Sequence, residues 1–203
     1  MNIQLTRKTW VIFGLKGGGK STLAKYIAAS YKQNCLYFDT LKECATDSEF
    51  HVYQPKDAHS TGELVTVVNL LKKARKYRMF IIDEANRYLP GNNIPLPQEV
   101  ADLNDWARHP QYNISVGYIA RRPVQLNTNL TEIADYLFIF HLGGKNDIRY
   151  LNDITNGLGD AVMLLPLHSF IIVYPDRHYE VSKPINIDKI QAIQGQNAMS
   201  LNL

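Results

Sequence analysis

Cysteine is scarce in this chain: Cys35 and Cys44 are the two thiols among 203 residues. Two cysteines without metal-binding spacing exclude a disulfide-scaffolded fold and point to free thiols in a reducing compartment. The six histidines (His51, His59, His109, His141, His168, His178) form no H-x-x-x-H or Cys–His pattern, which argues against a zinc centre. No stretch reaches the roughly 20 apolar residues of a membrane-spanning helix. Met1 to Lys8 is short and polar, unlike a signal peptide, so the expected location is the cytoplasm. There is no internal repeat and no low-complexity tract. Net charge is also small, +3 at pH 7, too little by itself to imply nucleic acid. What is present, 45% hydrophobic and 20% charged residues, suits one ordinary domain over 1–203.

Apolar runs alternate with helical patterns, the signature of an α/β fold with a mostly parallel sheet and helices on its faces. Strands are expected at Thr9–Phe13, Cys35–Phe38, Met79–Ile82, Ile114–Ala120 and Tyr136–His141. Helices are expected at Lys20–Lys32, Glu63–Lys76, Glu99–Arg108 and Asn146–Ile154, with a helical turn at Leu130–Ala134. The Glu99–Arg108 helix is expected to bury Val100, Leu103 and Trp106–Ala107. Thr40 to Thr61 reads as irregular and ends in a Ser60–Glu63 capping pattern. Ser169–Tyr174 and His178–Val181 flank the turn residues Pro175, Asp176 and Arg177, which predicts a C-terminal β-hairpin. The core is thus about 9–155, and the hairpin and a Gln- and Asn-rich tail occupy about 165–203.

Between the first strand and the first helix lies G-L-K-G-G-G-K-S. Gly14, Gly19, Lys20 and Ser21 match G-x-x-x-x-G-K-[ST], a phosphate-binding loop. Triphosphate oxygens need many N–H donors at close range, and glycines let the backbone approach without Cβ clashes. The expected nucleotide-binding set is Gly14, Lys16, Gly17, Gly18, Gly19, Lys20, Ser21 and Thr22. Lys20 would place its charge on the β- and γ-phosphates, and the Ser21 hydroxyl would ligate Mg²⁺. The helix that follows directs its positive dipole end at the anion.

Met79 to Ile82 is followed at once by Asp83 and Glu84. Four apolar residues and then an acid, on a strand after the phosphate loop, form the Walker B pattern. Asp83 would hold Mg²⁺, directly or through water, as an oxygen ligand suited to a hard cation. Glu84 would polarise the attacking water, which favours ATP hydrolysis over transfer to a metabolite.

Trp106 to Pro123 reads W-A-R-H-P-Q-Y-N-I-S-V-G-Y-I-A-R-R-P, and Ile133 to Leu142 reads I-A-D-Y-L-F-I-F-H-L. With the two Walker motifs, these stretches resemble the FtsK/HerA-type P-loop ATPases, most closely the small viral branch that packages genomes into tailless icosahedral, often membrane-containing viruses. The resemblance runs from Trp10 to about Asp153. It implies a RecA-like core of the ASCE class, with an additional strand between the P-loop strand and the Walker B strand. It also implies a homo-oligomeric ring of six with sites at subunit interfaces, double-stranded DNA as the moved substrate, and capsid or vertex proteins as partners. The setting would be host cytoplasm and virion. Arg108 would be the arginine finger reaching into a neighbour's site. Cellular members commonly carry glutamine before R-P as the γ-phosphate sensor; here Arg121 stands in that place, and sensing falls to Arg121, Arg122 or a nearby residue.

DNA-contact candidates are Arg87 with the Arg87–Asn93 loop, and Lys72, Lys73 and Lys76, which would grip phosphates without reading bases. The cluster Lys72, Lys73, Arg75, Lys76, Arg78 also fits a solvated, dipole-matched helix end. Three other classes compete with a DNA motor. A zonula-occludens-toxin-type assembly or secretion ATPase shares the motifs but usually adds a membrane span. A small-molecule kinase would need an arginine-rich lid, and Leu142–Asp153 offers only Lys145 and Arg149. A nucleotide-dependent switch would not need Glu84.

Overall fold

The computed structural model describes residues 2–45, 48–91, 94–185 and 201–202. β1 (Asn2–Ile3) precedes the central strands β2 (Thr9–Phe13), β3 (Cys35–Phe38), β4 (His51–Tyr53), β5 (Met79–Ile82), β6 (Ser115–Ala120), β7 (Tyr136–Phe140), β8 (Phe170–Val173) and β9 (Tyr179–Ser182). These eight form one sheet in the order β4-β3-β5-β6-β2-β7-β8-β9. The six from β4 to β7 run parallel, and β8 and β9 add antiparallel at the β7 edge. β6 lies between the P-loop strand β2 and the Walker B strand β5, as the family resemblance implies. β10 (Leu201–Asn202) pairs antiparallel with β1; the rest of the Gln- and Asn-rich tail lies outside the described residues. No described helix is long and apolar enough to cross a membrane.

The central strands are apolar at nearly every position because both sheet faces are covered. α1 (Lys20–Tyr31) packs Leu23, Ala24, Ile27 and Ala28 against Trp10, Ile12, Ile81 and Phe138 on one face. α2 (Thr61–Ala74) and α3 (Gln98–Arg108) pack Leu64, Val68, Val100 and Leu103 against Phe80, Ile82, Val116 and Tyr118 on the other. α4 (Thr128–Ile133), α5 (Lys145–Ile154) and α6 (Leu158–Met163) extend that second layer through Leu130, Leu151, Leu158 and Val162. Each fully buried Leu, Ile, Val or Phe among these contributes about 1.5–3 kcal/mol.

The Ser60 cap forms: its Oγ accepts from the Glu63 amide at 3.1 Å. The Glu63 carboxylate turns outward, accepting from the Lys56 and Asp57 amides and from the Tyr53 hydroxyl. α2 stops at Arg75, whose φ of 47° is left-handed.

Three features depart from the sequence reading. The stretch expected to be irregular before α2 contains β4, a three-residue edge strand that is half-buried and so carries no apolar run. α6 follows α5 where no helix was expected. Trp106 is half-buried rather than in the core: it stacks on Tyr112 with centroids 4.2 Å apart, and Lys72 Nζ sits 4.3 Å from its ring. The buried polar place on α3 belongs to Asn104, which donates to the Val100 carbonyl at 3.0 Å and accepts from the Tyr118 hydroxyl at 2.9 Å.

Gly117 of β6 lies opposite Trp10 of β2, and a Cβ there would sit 2.1 Å from the indole Cζ2. Gly117→Ala is therefore expected to destabilise by about 1–3 kcal/mol or more, read as a lower urea midpoint. Trp10→Phe in that background, which removes the clashing atoms, should restore part of the loss. An unchanged midpoint in the single variant would refute the packing account.

Candidate nucleotide site

The carboxyl ends of the parallel strands gather the polar residues on one edge of the sheet: Gly14 after β2, Asp39 after β3, Asp83 after β5, Arg121 after β6. In open α/β sheets that edge is where ligands bind. At the phosphate loop, a Cβ on Gly14 would lie 2.6 Å from Phe140 Cβ. Gly19, at φ +111°, would bring a Cβ to 3.0 Å from the Phe140 ring. Gly19 caps α1 without any side-chain acceptor, and the first turn carries no acid. The leading N–H groups of α1 are thus left to an incoming anion.

Lys20 Nζ donates to the Leu15 carbonyl at 3.1 Å, folded back over its own loop. Burial pulls its pKa below the ordinary lysine value, and the charges of Glu84 and Asp83 act in the opposite sense. Beside the loop is a cavity of about 320 Å³, with Gly17, Gly19, Lys20, Ser21 and Thr22 on one side and Phe140, His168, Pro184 and Ile185 on the other. His168 Nδ1 is 3.4 Å from the Gly18 carbonyl oxygen. Phe140 ends β7, whereas His168, Pro184 and Ile185 flank the antiparallel strands; the sequence reading missed these three because they carry no motif.

Asp83 is buried at the end of β5, its amide donating to Phe38 at 3.0 Å and its carbonyl accepting from Thr40 Oγ1 at 2.6 Å. Burial, and then the charge of Glu84, push its pKa up to about 7. Asp83 also acts on the charge of Lys20, the residue before Ser21, and a carboxylate with a serine hydroxyl is a donor set that fits a hard divalent cation. Glu84 adopts a left-handed conformation, φ 48° and ψ 42°, strain of the kind that clusters at functional sites. Arg121 Nε lies 3.1 Å from one of its carboxylate oxygens and 3.0 Å from the other. Arg87 Nε is 3.9 Å from the second oxygen, so this DNA-contact candidate stands within the site.

The two neighbouring arginines have different partners. Arg121 faces Glu84, whereas Arg122 Nε donates to the buried Asp147 of α5 at 2.8 Å. That pair ties α5 to the turn after β6, and most of Leu142–Asp153, from Lys145 on, is helix. Lys16 is exposed at the tip of the loop. Arg108 lies elsewhere. It ends α3, donates through Nη2 to the Ile133 carbonyl at 3.0 Å, and sits at the amino ends of β6 and β7, across the sheet from the phosphate loop. Much of the basic end of α2 is engaged within the chain. Lys72 pairs with Asp102 at 3.1 Å, Arg75 lies over Tyr112, and Lys76 contacts His51 at 3.2 Å. Lys73 is exposed.

No protein-family model and no curated protein matches the chain. Solved structures do. The DNA-packaging ATPase from Sulfolobus turreted icosahedral virus is 19% identical, with a TM-score of 0.72 over 90% of this chain and 100% of that one. The genome packaging NTPase from Sulfolobus turreted icosahedral virus 2, in complex with ATPγS, is 18% identical with a TM-score of 0.70, over 89% of this chain and 98% of that one. The N-terminal domain of zonular occludens toxin from Neisseria meningitidis is 12% identical with a TM-score of 0.53, over 91% and 97%. The chain has the RecA-like P-loop NTPase fold, and its resemblance to the viral packaging ATPases, first read from motifs, extends to the fold over about nine-tenths of the chain.

Asp83 titrates near pH 7 in the folded chain against 3.8 when free. The folded state binds the extra proton between those values, so this contribution to stability is complete below about pH 4 and is lost as pH rises through 7. Its upper bound is on the order of 4 kcal/mol. The nucleotide-free protein should lose urea resistance between pH 5 and 7.5 more steeply than Asp83→Asn does, and saturating Mg²⁺–ATPγS should shrink the difference. Parallel pH profiles for the two proteins would refute the assignment.

Proposed function

We propose that this chain is an ATP-hydrolysing motor that moves double-stranded DNA into a preformed viral capsid. The observation that carries the reading is the juxtaposition of the phosphate loop with the buried Asp83–Glu84 pair, in a fold shared over nearly the full length of two viral genome-packaging enzymes.

In this reading the triphosphate takes the free N–H groups at the start of α1, and Lys20 leaves the Leu15 carbonyl for the phosphate oxygens. Ser21 and Asp83 would hold Mg²⁺, which when bound neutralises phosphate charge. Glu84 accepts a proton from water as its oxygen bonds to the γ-phosphorus and the bond to the β-phosphate bridging oxygen breaks, releasing ADP and phosphate. Arg108, exposed on the opposite sheet edge, suits a head-to-tail assembly in which one subunit's finger meets the next subunit's nucleotide. The proposed assembly is a ring of six, with Lys73 among the residues facing DNA phosphates. It would dock at a capsid vertex and work in host cytoplasm and virion.

The second reading, an assembly or secretion ATPase of the zonula-occludens-toxin type, draws on the third structural likeness; it predicts turnover indifferent to DNA. The test is ATP hydrolysis with and without long double-stranded DNA, alongside native mass. DNA-stimulated turnover in a ring-sized species is expected. Glu84→Gln should reduce it by about 10²–10⁴ and Arg108→Ala by about 10³ or more. Mixing Arg108→Ala with Lys20→Ala subunits should restore part of the activity, because intact loops then meet intact fingers. Hydrolysis by a DNA-indifferent monomer, or full activity of Arg108→Ala alone, would overturn the motor reading.

A further inference from the structure

Glu84, the general base of the proposed reaction, is not free to act in this structure. Its carboxylate is nearly buried, with the side chain 8% exposed, and Arg121 Nε touches both oxygens at 3.0 and 3.1 Å. With both oxygens turned to one guanidinium, the carboxylate is held in an ion pair and is not presented to an attacking water. We infer that Arg121 is a lock on Glu84 which the γ-phosphate opens, the guanidinium leaving the carboxylate for the phosphate so that the base is released only when a triphosphate is bound. This rests on the reading of Glu84 as the base.

Five features support the exchange. Arg121 is the more exposed partner, with its side chain 45% exposed against 8% for Glu84. It stands beside the phosphate loop: Ala120 pairs with Phe13 across β6 and β2, so the next residues on the two strands are Arg121 and Gly14. Arg121 is also close enough to Lys20 to lower that lysine's pKa. The pair is made through Nε, a weaker grip than the two-pronged fork arginine offers a phosphate. Finally, Arg87 Nε, 3.9 Å from Glu84, remains beside the carboxylate when Arg121 departs, so opening the lock does not leave a buried charge without a cation. A diphosphate lacks the group that draws Arg121 away and leaves the lock closed.

The lock makes binding of a triphosphate work against the ion pair, and a double-mutant cycle detects this without turnover. Affinities for Mg²⁺–ATPγS and Mg²⁺–ADP are measured for wild type, Glu84→Gln, Arg121→Ala and the double variant. Glu84→Gln removes the pair and should tighten ATPγS about 5- to 30-fold while leaving ADP within about twofold. In the Arg121→Ala background the same substitution should change ATPγS affinity by less than about twofold, and Arg121→Lys should give an intermediate gain. Unchanged ADP affinity certifies that each variant is folded. A full-sized gain in the Arg121→Ala background would mean plain charge repulsion between Glu84 and the phosphate, and no gain in the wild-type background would mean no lock; either overturns the inference. Failure of the base assignment is separate: it would show as retained hydrolysis by Glu84→Gln.

Discussion

The phosphate loop rests on a phenyl ring. Phe140, the last residue of β7, occupies the space that side chains at Gly14 and Gly19 would need, so loop and strand end fit only because the loop is bare. The same ring packs against Phe170 at a centroid distance of 5.1 Å, and Phe170 opens the antiparallel pair β8–β9. Through this contact the C-terminal hairpin supports the loop and supplies the far wall of the cavity with His168, Pro184 and Ile185. A loop rich in glycine has high conformational freedom when unsupported; the aromatic floor holds its donors in place before any anion arrives.

The charges on this edge are arranged to be completed by a ligand. Lys20 is desolvated and turned onto its own backbone, Asp83 is protonated to near neutrality, and Glu84 is tied to Arg121. Each state is a compromise that bound nucleotide and metal would relieve. On the opposite edge, Arg108 holds only a backbone carbonyl among the described residues. Its guanidinium is therefore available to an anion brought by another molecule at small cost.

The parts of the fold legible in the sequence were those where one residue type has one physical use. Strands buried on both faces showed as unbroken apolar runs at Thr9–Phe13 and Met79–Ile82, and the glycines, Lys20, Ser21, Asp83 and Glu84 could be placed because strand and helix signals flanked them. The Ser60 cap was readable from its spacing. β4 was not, because an edge strand half in water needs no apolar pattern. Trp106 misled because a large aromatic can be satisfied at the surface by Tyr112 and Lys72. The roles of Arg121 and Arg122 could not be separated in one dimension: they differ in partner, Glu84 on one side and Asp147 on the other. His168 and Phe140 reach the loop from residues more than a hundred positions away, beyond any local signal.

The position of β2 in the sheet also has a consequence for how the chain acquires its structure. β2 pairs with β6, Thr9 opposite Val116, and with β7, Trp10 opposite Tyr136. A strand of five buried residues therefore has no partner until more than a hundred further residues have left the ribosome. Contacts at such separation are slow to form, and an unpaired apolar strand is open to aggregation in the meantime. The strand that carries the phosphate loop is synthesised well ahead of both its partners, so the nascent chain is vulnerable at that element until β6 and β7 arrive.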